Sequence, residues 1–188
     1  MINRLEATRL LGGKLKEEAV VASLGNPATD LAGVADRDKN FYMWNAMGMA
    51  SSMGLGLAMA RPECKVVVLD GDGALLMNLS SLATETVVNP PNLVHIVWDN
   101  KMWQLTGKQA TATAFRTDLG AVAKGCGFEH VERCESLEEF DTAVSKALKL
   151  PGPHFLHCIC DDSDTDAHIP GPPTFIKWRF MNALGVHH

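Results

Sequence analysis

Short apolar runs alternate along the chain with longer segments in which apolar residues recur at helical spacing. The apolar runs occupy residues 19–23, 65–70, 93–98, 128–131 and 154–159. Residues 66–69 are apolar without interruption, as in a central parallel strand that helices cover on both faces. Helical spacing occupies residues 28–35, 47–61, 75–88, 117–124, 137–150 and 174–184. This alternation predicts a single α/β domain over residues 1–188, with a doubly wound, mainly parallel sheet flanked by helices.

Composition and charge exclude several classes of protein. Of the 188 residues, 46% are apolar and 21% are charged, and the formal net charge is −5, whereas surfaces that bind nucleic acid or membranes are usually basic. The longest apolar stretch, residues 46–60, is too short to span a bilayer. Residues 1–11 resemble a short amphipathic helix and not a targeting segment. Five cysteines without framework spacing are typical of reduced thiols, so we expect a soluble, cytoplasmic protein that binds neither membrane nor nucleic acid.

Two short motifs look like metal sites but lack the required geometry. In a strand, Cys158 and Cys160 share one face and His157 lies on the other, so the three cannot converge. Residues 162–166 carry aspartate at alternate positions, but they lack the glycine and the final glutamate of a calcium loop. We interpret the cysteines as structural and the acidic segment as a solvated loop.

The most informative strand end is Gly71-Asp72-Gly73, which joins an apolar strand directly to a helix. Glycines allow a tight turn and let a ligand approach the backbone closely. The N–H groups of a helix start suit phosphate oxygens, but the carboxylate of Asp72 would repel them. A divalent cation between the two removes this conflict, and Mg²⁺ commonly bridges protein oxygens to phosphates. On its own, Gly-Asp-Gly is also a common turn.

A second strand ends at Asp99-Asn100. Between Gly73 and Asp99 there are 25 residues, enough for one crossover helix and one strand. The carboxyl ends of parallel strands meet at one edge of a sheet, so this spacing predicts that Asn100 lies beside Asp72. A neutral amide oxygen and one carboxylate suit a Mg²⁺ ion that already carries diphosphate oxygens.

Together these two strand ends resemble the fingerprint of the thiamine-diphosphate enzymes, in which Gly-Asp-Gly is followed after roughly two dozen residues by Asn. The resemblance implies thiamine diphosphate and Mg²⁺ as cofactors. It implies that the metal is held by Asp72, Asn100 and the backbone carbonyl of Met102. The residues implied to bind the cofactor around this motif are Gly71, Asp72, Gly73, Ala74, Asn100 and Met102.

A third strand end, within residues 41–58, resembles the segment that lies beneath the cofactor in the same enzymes. Met47 matches the bulky residue that props the two cofactor rings into a bent shape. Asn45 matches a backbone carbonyl that accepts from the pyrimidine amino group, and Ala46 stands between the two. Relatives usually have Gly-Ser in place of Asn45-Ala46, and many have serine in place of Ala74, so the resemblance implies backbone contacts only at these positions.

The likeness extends over roughly residues 20–185. Residues 71–84, 99–111 and 169–181 resemble the sulfopyruvate and phosphonopyruvate decarboxylases. The chain is most similar to the form of these enzymes in which the diphosphate-binding domain is a separate (β) subunit. The resemblance therefore implies a thiamine-diphosphate-dependent carboxy-lyase that decarboxylates a small anionic 2-oxo acid.

The resemblance also implies a partner. In this family a glutamate that activates the cofactor lies on a pyrimidine-binding domain, for which 188 residues leave no room. We therefore expect a separate pyrimidine-binding α subunit and an α2β2 assembly or a multiple of it. Glutamates of this chain, such as Glu85, are interpreted as structural. Lys101, Lys108 and Arg116 could offset a substrate charge or form a solvated loop, and we assign them no role.

Other interpretations remain open. The chain could be the β subunit of another thiamine-diphosphate enzyme, either acetolactate-synthase-like or a 2-oxo acid oxidoreductase. Oxidoreductases of that kind pass electrons to iron–sulfur clusters, and the chain has no Cys-x-x-Cys. A non-catalytic α/β partner that binds a nucleotide is the remaining class, although a lysine-bearing phosphate loop and a full glycine fingerprint are both missing.

Overall fold

A computed structural model describes residues 1–186; His187 and His188, to which the sequence assigns no role, lie outside this range. The helices are α1 (Arg4–Lys14), α2 (Asn26–Ala35), α3 (Ala50–Ala60), α4 (Asp72–Leu76), α5 (Ser80–Val88), α6 (Leu119–Cys126), α7 (Leu137–Lys149) and α8 (Pro173–Ala183). The strands are β1 (Ala19–Ala22), β2 (Asn40–Tyr42), β3 (Val66–Gly71), β4 (Leu93–Asp99), β5 (Met102–Trp103), β6 (Gln109–Ala110), β7 (His130–Cys134) and β8 (His154–Ile159). None of the helices within residues 1–186 is long and apolar enough to cross a bilayer.

Six strands form one sheet in the order β2-β1-β3-β4-β8-β7, and every neighbouring pair is parallel. The predicted doubly wound, mainly parallel sheet is therefore confirmed. After β1 the chain adds β2 on one side and then crosses to β3 on the other side. This reversal makes the carboxyl ends of β1 and β3 the topological switch point, where α/β sheets bind their ligands.

Helices cover both faces of the sheet because its central strands present apolar residues to both faces. Val67 and Leu69 of β3 pack into a cluster with α1, α2 and α7. Val66 and Val68 point the other way, towards α3. Val97 and Phe155 extend that second face beneath α5 and α6, and α8 packs against the edge strand β2. Strands β3 and β4 are thus buried between two layers of helices.

The helix predicted over residues 47–61 starts later, at Ala50. Ala46 and Gly48 have φ angles of 61° and 86°. These left-handed conformations are incompatible with a continuing right-handed helix, so Met47 lies in an irregular turn ahead of α3. Residues 43–49, between β2 and α3, therefore lie outside regular structure.

The helix predicted over residues 75–88 is divided into α4 and α5. Asn78 lies between them, and its Nδ2 donates to the carbonyl oxygen of Gly48 at 2.9 Å. A Cβ on Gly48 would lie 3.0 Å from the carbonyl oxygen of Ala74. The turn before α3 is thus fitted against the break in the helix, which brings Met47 towards the end of β3.

The edge strand β7 starts two residues later than its predicted position at 128–131. Gly127 ends α6 in the left-handed conformation, and Phe128 packs beneath α6 instead of joining the sheet. Cys158 and Cys160 share one face of the sheet, as predicted, and this face packs on α1 and α7. No cluster of three His, Cys, Asp or Glu side chains suited to a metal occurs in the part of the chain that the structure describes.

Candidate functional site

A pocket that is partly open to solvent lies at the carboxyl ends of β1, β3 and β4. Residues 24–27 follow β1, Gly71 ends β3 and residues 72–74 follow it, and Asn100 and residues 102–106 follow β4. Trp98 of β4, Met47 and Arg4 complete the wall. The pocket therefore occupies the topological switch point of the sheet.

Seven of the nine residues implied by the resemblance line this pocket. They are Met47, Gly71, Asp72, Gly73, Ala74, Asn100 and Met102. Asn45 and Ala46 are exposed and lie outside the lining. The pairing of the strands explains the convergence: Gly71 of β3 stands opposite Trp98 of β4, so Asp72 and Asn100 leave adjacent strands at almost the same level.

Gly73 must be glycine because the indole of Trp103 packs on it. A Cβ added to Gly73 would lie 2.3 Å from Nε1 of Trp103. Real side chains never approach that closely, so any other residue would displace the indole and disturb the pocket wall. The second glycine of the motif thus serves close packing as well as the turn.

Asp72 is a buried carboxylate held through one of its oxygens. Its Oδ2 accepts from Oγ1 of Thr111 at 2.6 Å and lies 3.1 Å from Oγ1 of Thr113. Burial raises the pKa of Asp72 to about 6, and the nearby charge of Asp99 adds to this effect against the hydrogen bond from Thr111. The anionic form is therefore costly, and a cation beside it would offset the cost.

Asp99 is a second buried carboxylate next to the first. Its Oδ1 accepts from Oγ1 of Thr113 at 2.7 Å, and its Oδ2 lies 2.8 Å from Nε2 of His157. Burial would raise the pKa of Asp99, but the hydrogen bonds from His157 and Thr113 outweigh it and lower the pKa. Asp99 is therefore ionised. Because two carboxylates lie close together in a low-dielectric region, a cation at this edge of the sheet would stabilise them.

Asn100 presents its amide in a defined orientation. Its Nδ2 donates to Oε1 of Gln104 at 2.7 Å, and its Oδ1 accepts the backbone N–H of Met102 at 3.2 Å. Lys101 between them has a left-handed φ of 64°, which turns the chain back over the pocket. A carboxylate, an amide oxygen and a backbone carbonyl are the hard oxygen donors that Mg²⁺ prefers, so these residues fit the ion.

Several pocket residues were not identified from the sequence. Residues 24–27 follow β1, and the strand-end argument applied to β1 could have found them. Arg4 belongs to α1 and pairs with Asp30, with Nε 2.7 Å from Oδ2. Gln104 lies in the loop after β5 and accepts from Nδ2 of Asn26 at 2.7 Å. No pattern in the sequence connects Arg4 or Gln104 to the site.

Glu85 is not a residue of the pocket. It is completely buried on α5 and lies 3.2 Å from Nδ1 of His95. Burial alone would lower the pKa of His95, but the carboxylates of Glu85 and Asp70 raise it to about 10. Glu85 therefore belongs to a buried charge cluster with His95 and Asp70. This agrees with its interpretation as structural.

The comparison with protein families shows to which family the chain belongs. Residues 29–158 match the thiamine pyrophosphate enzymes, in their C-terminal TPP binding domain. The chain belongs to this family. The match contains both strand ends, Gly71-Asp72-Gly73 and Asp99-Asn100, and the Met47 turn.

Several proteins are similar to this chain over most of its length. The chain is 41% identical over 170 residues to the sulfopyruvate decarboxylase subunit beta of Methanocaldococcus jannaschii, covering 90% of this chain and 89% of that one. It is 44% identical over 149 residues to the phosphonopyruvate decarboxylase of Streptomyces viridochromogenes, covering 79% of this chain but only 37% of the relative. Among thiamine pyrophosphate enzymes of known structure, the benzoylformate decarboxylase of Polynucleobacter necessarius superposes with a TM-score of 0.72 at 18% identity, over 87% of this chain and 34% of that one. That similarity supports the fold.

Proposed function

We propose that this chain is the β subunit of a thiamine-diphosphate-dependent decarboxylase of small anionic 2-oxo acids, of the sulfopyruvate or phosphonopyruvate type. The observation that carries the proposal is the convergence of Asp72, Asn100 and Met102 in one pocket with the backbone of Gly73 and Ala74. The relatives, named for sulfopyruvate and phosphonopyruvate decarboxylation, support the substrate class.

Four of the pocket residues have proposed tasks. Asp72, Asn100 and the carbonyl of Met102 would hold Mg²⁺, and the metal would hold the diphosphate of the cofactor. The bound cofactor supplies an electron sink for the loss of carbon dioxide from the 2-oxo acid. Met47, half-buried in the wall, would support the cofactor rings. This chain therefore binds and orients the cofactor.

The activating glutamate is proposed to come from a separate pyrimidine-binding α subunit. Asp72 is the only carboxylate among the pocket-lining residues within 1–186, and it is assigned to the metal. We propose one cofactor-binding domain per chain and an α2β2 assembly or a multiple of it. The five free cysteines agree with a cytoplasmic location, where thiols stay reduced.

Reconstitution tests this proposal. Purified alone, the chain is expected to bind thiamine diphosphate and Mg²⁺ weakly, as measured by calorimetry, because half of the cofactor would face solvent. It should not decarboxylate sulfopyruvate, phosphonopyruvate or pyruvate. Adding the α subunit should restore turnover and tighten cofactor binding together, since both depend on the same interface.

Two results would contradict the proposal. Turnover of a 2-oxo acid by the isolated chain at about one per second or faster, an ordinary enzymatic rate, would exclude a split active site. Binding of ATP or NAD in place of thiamine diphosphate, in the same calorimetric assay, would favour the non-catalytic nucleotide-binding class instead.

Met47→Ala is expected to lower turnover more than cofactor affinity. The substitution removes the support of the rings, whereas the metal and diphosphate contacts remain, and loss of positioning lowers kcat. The measurement is kcat of the assembled enzyme beside the thiamine diphosphate dissociation constant. Met59→Ala, on the exposed side of α3, is the matched control and should change neither. Unchanged turnover in Met47→Ala would make this residue a packing residue only.

A further inference from the structure

Three side chains of the hairpin that follows the metal motif, residues 102–114, contact the two proposed metal-binding side chains at Oδ2 of Asp72 and Nδ2 of Asn100. We infer that Gln104, Thr111 and Thr113 of this post-metal hairpin are positioning residues, which aim the Oδ1 atoms of Asp72 and Asn100 at the ion. The inference rests on the proposed function, because it concerns the same metal site.

At Asp72 the threonines occupy one carboxylate oxygen. Thr111 donates to Oδ2 at 2.6 Å, and Thr113 lies 3.1 Å from the same oxygen. Thr111 and Thr113 are buried, so water does not compete for these contacts. With Oδ2 fixed by the hairpin, the carboxylate cannot rotate freely, and its other oxygen is left for a cation in the pocket.

At Asn100 the hairpin fixes the amide by its nitrogen. Oε1 of Gln104 is surrounded by three donors: Nδ2 of Asn100 at 2.7 Å, Nδ2 of Asn26 at 2.7 Å and Nη1 of Arg4 at 3.3 Å. On its other side, Nε2 of Gln104 donates to the carbonyl oxygen of Asp162 at 2.7 Å. These partners define which end of the Gln104 amide is oxygen. Asn100 must therefore turn its nitrogen to Gln104 and its oxygen away.

The hairpin is itself anchored to the body of the domain. Oγ1 of Thr113 donates to Asp99 at 2.7 Å, and the other oxygen of Asp99 lies 2.8 Å from Nε2 of His157. Nδ1 of His157 accepts the backbone N–H of Gly120 at 3.3 Å. A continuous path of buried polar contacts thus connects Asp72 with β4, β8 and α6. Such outer contacts are the means by which proteins orient metal ligands.

If these residues orient the metal-binding oxygens, removing them should change the preference between metals, which a purely structural role would not do. Mg²⁺ demands nearly ideal octahedral geometry, whereas Ca²⁺ accepts larger and less regular arrangements. Loss of the correct orientation of these oxygens should therefore weaken Mg²⁺ binding more than Ca²⁺ binding. General damage to the fold would lower the affinity for both metals to the same extent.

The test is a calorimetric titration of the chain assembled with its proposed α subunit, with MgCl2 and with CaCl2, at saturating thiamine diphosphate. For Thr111→Val we expect Mg²⁺ affinity to fall about 10–100-fold, the usual effect of removing an outer contact, with a smaller fall for Ca²⁺. Thr111→Ser keeps the hydroxyl and should retain the preference for Mg²⁺. Gln104→Met, which removes the acceptor for Asn100 at a half-buried position, should show the same loss of preference.

Thr84→Val is the matched control, because Thr84 is exposed on α5 and its hydroxyl bonds only to the carbonyl of Ser80. It should leave both metal affinities unchanged. Unchanged Mg²⁺ affinity in both Thr111→Val and Gln104→Met, or equal losses for Mg²⁺ and Ca²⁺, would overturn the positioning role. A wild-type assembled enzyme that bound neither metal with thiamine diphosphate would instead contradict the proposed function.

Discussion

Asp72→Ala should weaken retention of thiamine diphosphate and Mg²⁺ by more than about 100-fold, since loss of outer contacts alone costs about 10–100-fold. The free energy of unfolding should change little. Removing Asp72 also removes a buried carboxylate whose pKa burial raises to about 6. The hydroxyls of Thr111 and Thr113, 2.9 Å apart, can still bond to each other. Calorimetry with the cofactor and urea unfolding of the apoprotein measure the two effects.

Asn100→Ala serves as the graded comparison. It removes a neutral oxygen in place of a charge, so cofactor affinity should fall by less than in Asp72→Ala. Undiminished thiamine diphosphate affinity in Asp72→Ala would exclude this carboxylate as a metal ligand. A large loss of stability in the same variant would show that the carboxylate serves the fold and not the ion.

The second large effect is expected at the buried charge cluster of Asp70, Glu85 and His95. All three side chains are fully buried, and the pKa of about 10 keeps His95 protonated at neutral pH. His95→Leu would leave two carboxylates without their cation. We expect it to lower the free energy of unfolding by about 3–5 kcal/mol, as found when one partner of a buried ion pair is removed.

Glu85 supplies the control for this prediction. Adding Glu85→Leu to His95→Leu removes one of the two uncompensated charges, so the double variant should be more stable than His95→Leu alone. Urea unfolding of the four proteins of this cycle at pH 7 measures the coupling. Losses that simply add would mean that the His95 and Glu85 side chains do not depend on each other.

Sequence patterns located the buried strands well because these strands obey a strong constraint. Residues 66–69 are covered on both faces, and their uninterrupted apolar pattern is typical of such a buried strand. The edge strand β7 is covered less, and its apolar run begins at Phe128, which packs beneath α6. The break between α4 and α5 was missed because it depends on the contact of Asn78 with Gly48, across a separation that local periodicity does not register.

The site was predictable only where the main chain defines it. Strand ends at Asp72 and Asn100 can be recognised from spacing, since the sheet fixes where they emerge. Gln104 contacts Arg4 across 100 positions of sequence, and Thr111 contacts Asp72 across 39. Hydrogen bonds between side chains so far apart leave no periodic signal. They arise from the complete fold, and the sequence alone could not reveal them.

The two ends of the domain lie at opposite edges of the sheet. Ile2 is buried, with its N–H donated to Ile159 at 2.8 Å and its carbonyl accepting from Asp161 at 2.9 Å, and Arg4 lies in the pocket wall. A purification tag or tether joined before Met1 would start within about 15 Å of Arg4, at about 3.8 Å per residue. Leu184 packs near Ala19, at the amino end of β1, away from the pocket. A tether at that end would therefore start far from the pocket, whereas one at the other end would start close to it.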